Sequence, residues 1–305
     1  MIDVLLATYN GEAYLKEMLD SLMEQTIQDF HVYVRDDGST DRTPIIIEGF
    51  RQAYPEKFTI IEDRLSIGNA RDNFFTLLSY ATQDYVMFAD QDDIWLPDKI
   101  ELTLSTMKSI RNGFGNSPIL VHSDLTVVNE TGVAIHPSLF KLQKLDPSRL
   151  HLNQLISQNN ITGCTMMMNR ALVRIIRANK QALMHDWWIG LAASAFGHIA
   201  VAPNRIHYRQ HQANEVGAKD VKSASYFRKK LSNTGGIRES IQNTYEQAAA
   251  FLETYEDMLS AAQKDMICVF KSLGECNMLK RMHLLSKYKL FKSGVYRKIG
   301  QIIYG

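Results

Sequence analysis

The chain has 305 residues, 45% hydrophobic and 10% aromatic, which suits one large domain with an accessory segment and excludes a disordered chain. Its 34 Lys and Arg against 33 Asp and Glu leave a net charge of +1, so no whole-chain attraction to nucleic acid is expected. The neutrality is a cancellation: residues 1–218 hold 19 basic and 25 acidic side chains, residues 219–305 hold 15 and 8. Three cysteines (Cys164, Cys268, Cys276) without CxxC spacing argue against a disulfide framework or a zinc site and for a reducing compartment. The opening Ile2-Asp3-Val4-Leu5-Leu6-Ala7-Thr8 reads as a strand rather than a signal peptide, and no apolar run reaches the ~20 residues that span a bilayer. A cytoplasmic location is the expectation.

Along the first 125 residues short apolar runs alternate with amphipathic stretches. Strands are predicted at Val4–Thr8, His31–Asp36, Phe58–Glu62, Tyr85–Ala89 and Ile119–Ser123. Helices are predicted between them, from Leu15, Met18, Leu19 and Leu22, then Phe74, Leu77, Leu78 and Ala81, then Ile100, Leu104 and Met107. This alternation implies βαβ units: an α/β fold with a mostly parallel central sheet flanked by helices. Further on, helical patterns are expected at Leu150–Gln158 and Trp187–Phe196, and strand-like pieces at Thr165–Met168, His198–Ala202 and Ile206–Arg209. Gly217 ends the expected catalytic domain, residues 1–217. The remainder, 218–305, reads as a basic helical extension from about Ala224.

In open α/β sheets ligands bind beyond the carboxyl ends of the strands. Thr8-Tyr9-Asn10-Gly11 follows the first strand, Asp36-Asp37-Gly38-Ser39-Thr40-Asp41 the second, and Asp90-Gln91-Asp92-Asp93 the fourth. Three carboxylates within four residues repel one another unless a cation sits among them; oxygen ligands suit Mg²⁺ or Mn²⁺ with a diphosphate. The plain alternative is a helix cap near Pro97, which needs one Asp rather than three. Asp36 and Asp37 read alone as an Asx turn; at that edge, a carboxylate there can accept the N3–H of a pyrimidine. Asp186, in His185-Asp186-Trp187-Trp188, is either an N-cap or a general base toward an acceptor hydroxyl. Arg209 and His211, in Tyr208-Arg209-Gln210-His211, can hold diphosphate or metal, and Arg71 can pair with diphosphate or with Asp36 or Asp37. Arg35, in a strand that should be buried, has no explanation at this level. The run Met166-Met167-Met168 reads mainly as core.

The fingerprints GxGxxG, GxxxxGK[ST] and GxSxG are missing, which disfavours dinucleotide oxidoreductases, P-loop NTPases and serine hydrolases. Taken together, the motifs over residues 1–217 resemble glycosyltransferase family two, the inverting transferases of GT-A fold. The resemblance implies nucleotide contacts by Thr8, Tyr9, Asn10, Asp36, Asp37, Arg71, Asp90 and Arg209. It also implies a metal on Asp92, with Asp90 and His211 beside it, and Asp186 as catalytic base. The strings Phe88-Ala89-Asp90-Gln91-Asp92-Asp93-Ile94-Trp95 and His185-Asp186-Trp187-Trp188 resemble a narrower bacterial rhamnosyltransferase-like group of polysaccharide assembly. That implies a single rhamnose from a dTDP-linked donor, with a UDP-linked hexose as the alternative, passed to a glycan or lipid-linked glycan. The QxxRW and transmembrane helices of processive members are missing, which implies single-sugar addition. A sugar nucleotidyltransferase would need a Gly-rich basic loop where Thr8-Tyr9-Asn10-Gly11-Glu12 stands. An inactive nucleotide-sugar-binding or scaffolding subunit is the reading from another class.

From Asn277 to Gly305 there are seven basic residues and no acidic one, interleaved with Leu, Ile, Tyr and Phe. This predicts helices lying on an anionic membrane surface, a peripheral attachment to the inner face of the cell membrane. The alternative is packing on the chain's own domain or in a homodimer.

Overall fold

The computed structural model describes residues 1–63, 66–203, 206–211 and 234–305. The predicted boundary at Gly217 and the helical onset near Ala224 lie outside the described residues. The chain forms two compact units. Within the described residues the first holds 1–139, 161–176 and 196–211, and the second holds 140–160, 177–195 and 234–305.

The first unit is built on strands β1 (Ile2–Thr8), β2 (Phe30–Asp36), β3 (Phe58–Ile60), β4 (Tyr85–Asp90), β6 (Ile119–Ser123), β9 (Met167–Asn169) and β10 (His198–Ala202). They form one sheet in the order β10-β6-β9-β4-β1-β2-β3. β1 lies between β2 and β4 and is parallel to both, and β9 alone runs antiparallel, between β4 and β6. Val4, Leu5, Leu6, Val86, Met87 and Phe88 are fully buried, as near-continuous apolar strands covered on both faces should be. Helices α1 (Leu15–Met23), α2 (Thr43–Ala53), α3 (Ala70–Leu78), α4 (Lys99–Phe114) and α5 (Arg170–Ile175) connect or flank the strands. α1 buries Leu15, Met18, Leu19 and Leu22, the stripe read from its spacing. The side chain of Asn69 caps α3 by accepting the amide of Asp72.

A second sheet, β5-β11-β7-β8, joins β5 (Ile94–Trp95), β7 (Thr126–Val128), β8 (Ala134–His136) and β11 (Ile206–Arg209). β11 pairs antiparallel with β5 and parallel with β7. This lays Arg209 and His211 alongside the loop after β4.

Several expectations need correction. The strand predicted at Thr165–Met168 is split: Gly163–Thr165 is a 3-10 turn and pairing begins at Met167. Met166, Met167 and Met168 are fully buried, so the methionine run is core. Leu150–Gln158 yields only a single helical turn, Leu152–Leu155. Residues 140–160 and 177–195 pack in the second unit.

The second unit contains α6 (His185–Phe196, whose last residue belongs to the first unit), α7 (Thr234–Thr254), α8 (Ala261–Lys271), α9 (Met278–Lys287) and α10 (Val295–Tyr304). Trp188 packs edge-on against Phe251 of α7, with ring centroids 5.4 Å apart. Ser260 and Gln263 form a capping box at α8, and the Asn277 side chain caps α9 by accepting the amide of Lys280. No helix of the described residues is long and apolar enough to cross a membrane.

Candidate functional site

Parallel register brings three chain exits to one level: Thr8 aligns with Asp36 across β1 and β2, and Ala7 with Asp90 across β1 and β4. There the Thr8 hydroxyl donates to Asp36 Oδ1 at 2.8 Å. Asp36 also accepts from the Ser39 amide at 2.8 Å and the Ser39 hydroxyl at 2.6 Å, which closes the predicted Asx turn. Asn10, with φ of 47°, turns the chain in the left-handed region that Asn tolerates, and its side-chain oxygen accepts the Thr40 amide at 2.9 Å. The Tyr9 ring is left 56% exposed above this edge.

Gln91 ties that loop to the acidic one. Its side chain accepts the Tyr9 amide at 2.8 Å and donates to the Tyr9 carbonyl at 2.9 Å. Gly11 permits this approach, since a Cβ there would stand 2.3 Å from Gln91 Oε1.

Asp37 and Arg71 are both held in ion pairs. Asp37 is buried and accepts the amides of Ile67 and Gly68, each at 2.6 Å. Its cationic partner is Arg35 at 3.1 Å, not Arg71. The Arg35 guanidinium, fully buried, also forks onto Asp63 at 2.7 and 3.1 Å. This accounts for an arginine in a buried strand: it neutralises the acids of two loops. Arg71 instead pairs with its neighbour Asp72 at 2.8 Å.

On the other side of β1, His211 Nε2 lies 2.7 Å from Asp92 Oδ2. The His211 ring stacks on Tyr14 with centroids 4.7 Å apart, and the Arg209 guanidinium lies 4.8 Å from the centre of the same Tyr14 ring. Arg209 is almost fully buried. It donates to the Asp92 carbonyl at 3.0 Å, to the Glu130 carbonyl, and to Glu17 Oε2 at 2.5 Å, so it braces the acidic loop.

The third acid of the motif is withdrawn from solvent. Asp93 is fully buried, and burial, then the charges of Asp92 and Asp90, push its carboxyl well above the usual range. That shift favours the protonated form of Asp93, which lessens its repulsion with Asp90 and Asp92. Beneath it, burial also raises the Cys164 thiol and the Tyr208 hydroxyl and lowers Lys99 to about 8.

Two donor sets can be weighed for Mn²⁺ or Mg²⁺. Asp90, Asp93 and Cys164 offer ligand atoms within 4.8 Å of one another. That set fits poorly: two members would have to ionise in a buried site, and soft sulfur does not suit these hard cations. Asp92 and His211 fit better. An oxygen and a nitrogen donor already converge at 2.7 Å, with Asp90 two residues away on the strand end.

Asp186 lies in the second unit. It falls in the first turn of α6, which begins at His185, rather than at the N-cap position. It is mostly buried, and Asn159 Nδ2 donates to its Oδ1 at 3.1 Å. A carboxylate in a first helical turn is favoured by the helix dipole. The neighbouring His185 is fully buried, which lowers it to about 3 and keeps it neutral. The indoles of Trp187 and Trp188 donate to the carbonyls of Leu155 and Arg177, at 2.7 and 2.9 Å, and fix the helix start.

Sequence reasoning missed Tyr14, Glu17, Gln91 and Asn159. Gln91 stands inside the acidic motif and was within reach. Tyr14 and Glu17 carry only the signal of an aromatic and an acid at the start of α1.

Three comparisons bear on this geometry. The family model "Glycosyl transferase family 2" matches residues 3–175. A dTDP-rhamnosyl transferase, RfbG of Shigella flexneri, is 30% identical over 251 residues, covering 77% of this chain and 82% of the relative. The UDP-Glc:alpha-D-GlcNAc-diphosphoundecaprenol beta-1,3-glucosyltransferase WfgD of Escherichia coli is 23% identical over 57% of this chain and 62% of the relative. Among solved structures, S. aureus TarS residues 1–349 with UDP-GlcNAc has a TM-score of 0.57 at 19% identity, over 94% of this chain and 80% of that one. The mannosyltransferase PcManGT of Pyrobaculum calidifontis, with GDP-Man and Mn²⁺, has a TM-score of 0.52 at 15% identity, over 99% and 86%.

Proposed function

The chain belongs to glycosyl transferase family 2 and has the GT-A fold, and from that premise we propose an inverting, metal-dependent transferase that adds a single sugar. The observation that carries the reading is the alignment of the Thr8–Asp36 pair and the Asp92–His211 pair on either side of the same strand end. Strand-end placement of a ligand site is the rule for such sheets.

In this reading Tyr9 stacks on the base, while Thr8, Asn10 and Asp36 line the nucleoside end. Arg71, already partnered by Asp72, is assigned to the nucleotide by its place in the motif order alone. Asp92, Asp90 and His211 would hold Mn²⁺ or Mg²⁺ against the diphosphate; a bound divalent cation supplies Lewis-acid neutralisation of the leaving group. Asp37 and Arg209 serve as braces, through Arg35 and through the Asp92 carbonyl, in place of direct nucleotide contact. Asp186 takes the proton of the acceptor hydroxyl, whose oxygen attacks the anomeric carbon from the face opposite the diphosphate. Asn159 orients that carboxylate.

The donor best supported is dTDP-rhamnose, from the 30% identical dTDP-rhamnosyl transferase; a UDP-hexose is the second choice, from WfgD. The same WfgD name, with its diphosphoundecaprenol acceptor, supports a lipid-linked glycan as acceptor, and hence a protein peripheral to the inner face of the membrane. Asp186→Asn tests the assignment: donor binding should persist while transfer falls by ~10²–10⁴-fold. Undiminished turnover in that variant would remove Asp186 as base.

A further inference from the structure

The second unit ends in a helix whose amphipathic sense is reversed. In α10 the fully buried residue is Gln301, while Val295, Ile299 and Ile303 are 68%, 45% and 51% exposed and Tyr296 also faces out. A surface helix ordinarily turns its apolar stripe to the core. Here Val295, Tyr296, Ile299, Ile302 and Ile303 fall within an arc of about 120° on the helix wheel, and four of the five are exposed.

Polar contacts fix this orientation. The Gln301 side chain accepts the Lys292 amide and donates to the Leu290 carbonyl, both at 3.0 Å. Arg297 donates to the Gln143 carbonyl at 2.8 Å, and Arg281 of α9 donates to the Ile302 carbonyl at 2.8 Å. Turning α10 over would break these bonds and bury Arg297 elsewhere. The preceding helix repeats the theme. α9 buries Arg281 and Leu285 and exposes Met278, Leu279 and Met282.

The charge around this surface has one sign. From Asn277 to Gly305 there is no acid, and Lys280, Lys287, Lys289 and Lys298 are exposed. Two copies of the chain meeting through this face would oppose like charges. An anionic lipid surface meets both needs at once: acyl chains take the Ile and Val side chains, and phosphate headgroups face the lysines.

We propose that the outward face of α10, with the exposed side chains of α9, docks on an anionic phospholipid bilayer, with Val295, Ile299 and Ile303 inserted at the headgroup–acyl boundary. The inference deepens the proposed function, from which it takes only the expectation that the acceptor is lipid-linked.

The test is co-sedimentation of the full chain with vesicles of phosphatidylcholine alone or mixed with phosphatidylglycerol, beside two variants, Ile299→Asp/Ile303→Asp and Lys280→Gln/Lys287→Gln/Lys298→Gln. All five positions are exposed, and unchanged thermal melting confirms that each variant folds. The native chain should partition at least tenfold more onto the anionic vesicles and release in high salt. Both variants should lose that gain. Nucleotide binding, followed in parallel, should be the same in all three proteins, which separates failure of the lipid surface from failure of the transferase reading. Equal partition of native and variant chains would overturn the proposal. So would a concentration-dependent dimer that Ile299→Asp/Ile303→Asp dissolves, since the face would then belong to a second copy.

Discussion

Replacing Arg35 by Leu should unfold much of what positions the nucleotide loops. Arg35 is fully buried and gives two hydrogen bonds to Asp63, one to Asp37 at 3.1 Å and one to Asn73 at 3.0 Å. After truncation Asp63, 18% exposed at its side chain, can relax into water, but Asp37 at 5% cannot. Asp37 would keep two amide donors and lose its only cation in direct contact among the described residues. Removing one partner of such a pair typically costs ~3–5 kcal/mol, because an uncompensated charge stays buried. That is a fifth or more of a total stability of ~5–15 kcal/mol. The added Leu offsets little, since Arg35 already fills its space. Urea unfolding at pH 7 reads the loss as a lower midpoint at unchanged slope. Adding Asp37→Asn to Arg35→Leu should recover ~1 kcal/mol or more, a sign of direct coupling. A loss below ~1 kcal/mol for Arg35→Leu, or strict additivity in the double variant, would mean that Asp37 does not depend on this guanidinium.

Gly11→Ala should act locally. The new Cβ would stand 2.3 Å from Gln91 Oε1, so the Gln91 side chain withdraws and Tyr9 loses both backbone bonds. Calorimetric titration should show nucleoside diphosphate affinity down ~10-fold with melting nearly unchanged, about 1.4 kcal/mol for the lost tether; native affinity would show that Gln91 does not hold Tyr9 in place. His122 governs an acid limb. Burial lowers it to about 4 from 6.5, so the unfolded chain binds the extra proton first as pH falls. Stability is therefore complete above pH 6.5 and declines towards pH 4, by on the order of 3 kcal/mol. His122→Leu should flatten that decline in pH-dependent urea melts, and an unaltered slope would place the acid sensitivity elsewhere, for example on His185.

The first half of the fold was legible because its strands are long, apolar and separated by cleanly periodic helices. Ile119–Ser123, His198–Ala202 and Ile206–Arg209 have the bounds that their patterns predict. Phe58–Glu62 was overextended, since the strand ends at Ile60. The acidic edge of the sheet was legible too, because motif order and the carboxyl-end rule locate it without coordinates. What stayed hidden depends on pairing across distance. Nothing local says that Arg35 meets Asp63 and Asp37 while Arg71 turns to Asp72. Nor do three acids in four residues reveal that burial pushes the carboxyl of one of them, Asp93, well above the usual range. The reversed face of α10 was half visible: its basic and apolar residues showed in the sequence, but the inward Gln301 needed the packing.

Calorimetric titration of the native chain and Asp92→Asn with dTDP and with UDP, each with and without Mn²⁺, probes the donor site itself. The account predicts binding of at least one of the two nucleotides that tightens with Mn²⁺, and loss of the metal-dependent part in Asp92→Asn, whose carboxylate faces His211 at 2.7 Å. Binding that is indifferent to both Mn²⁺ and Asp92, or no binding of either nucleotide, would contradict it.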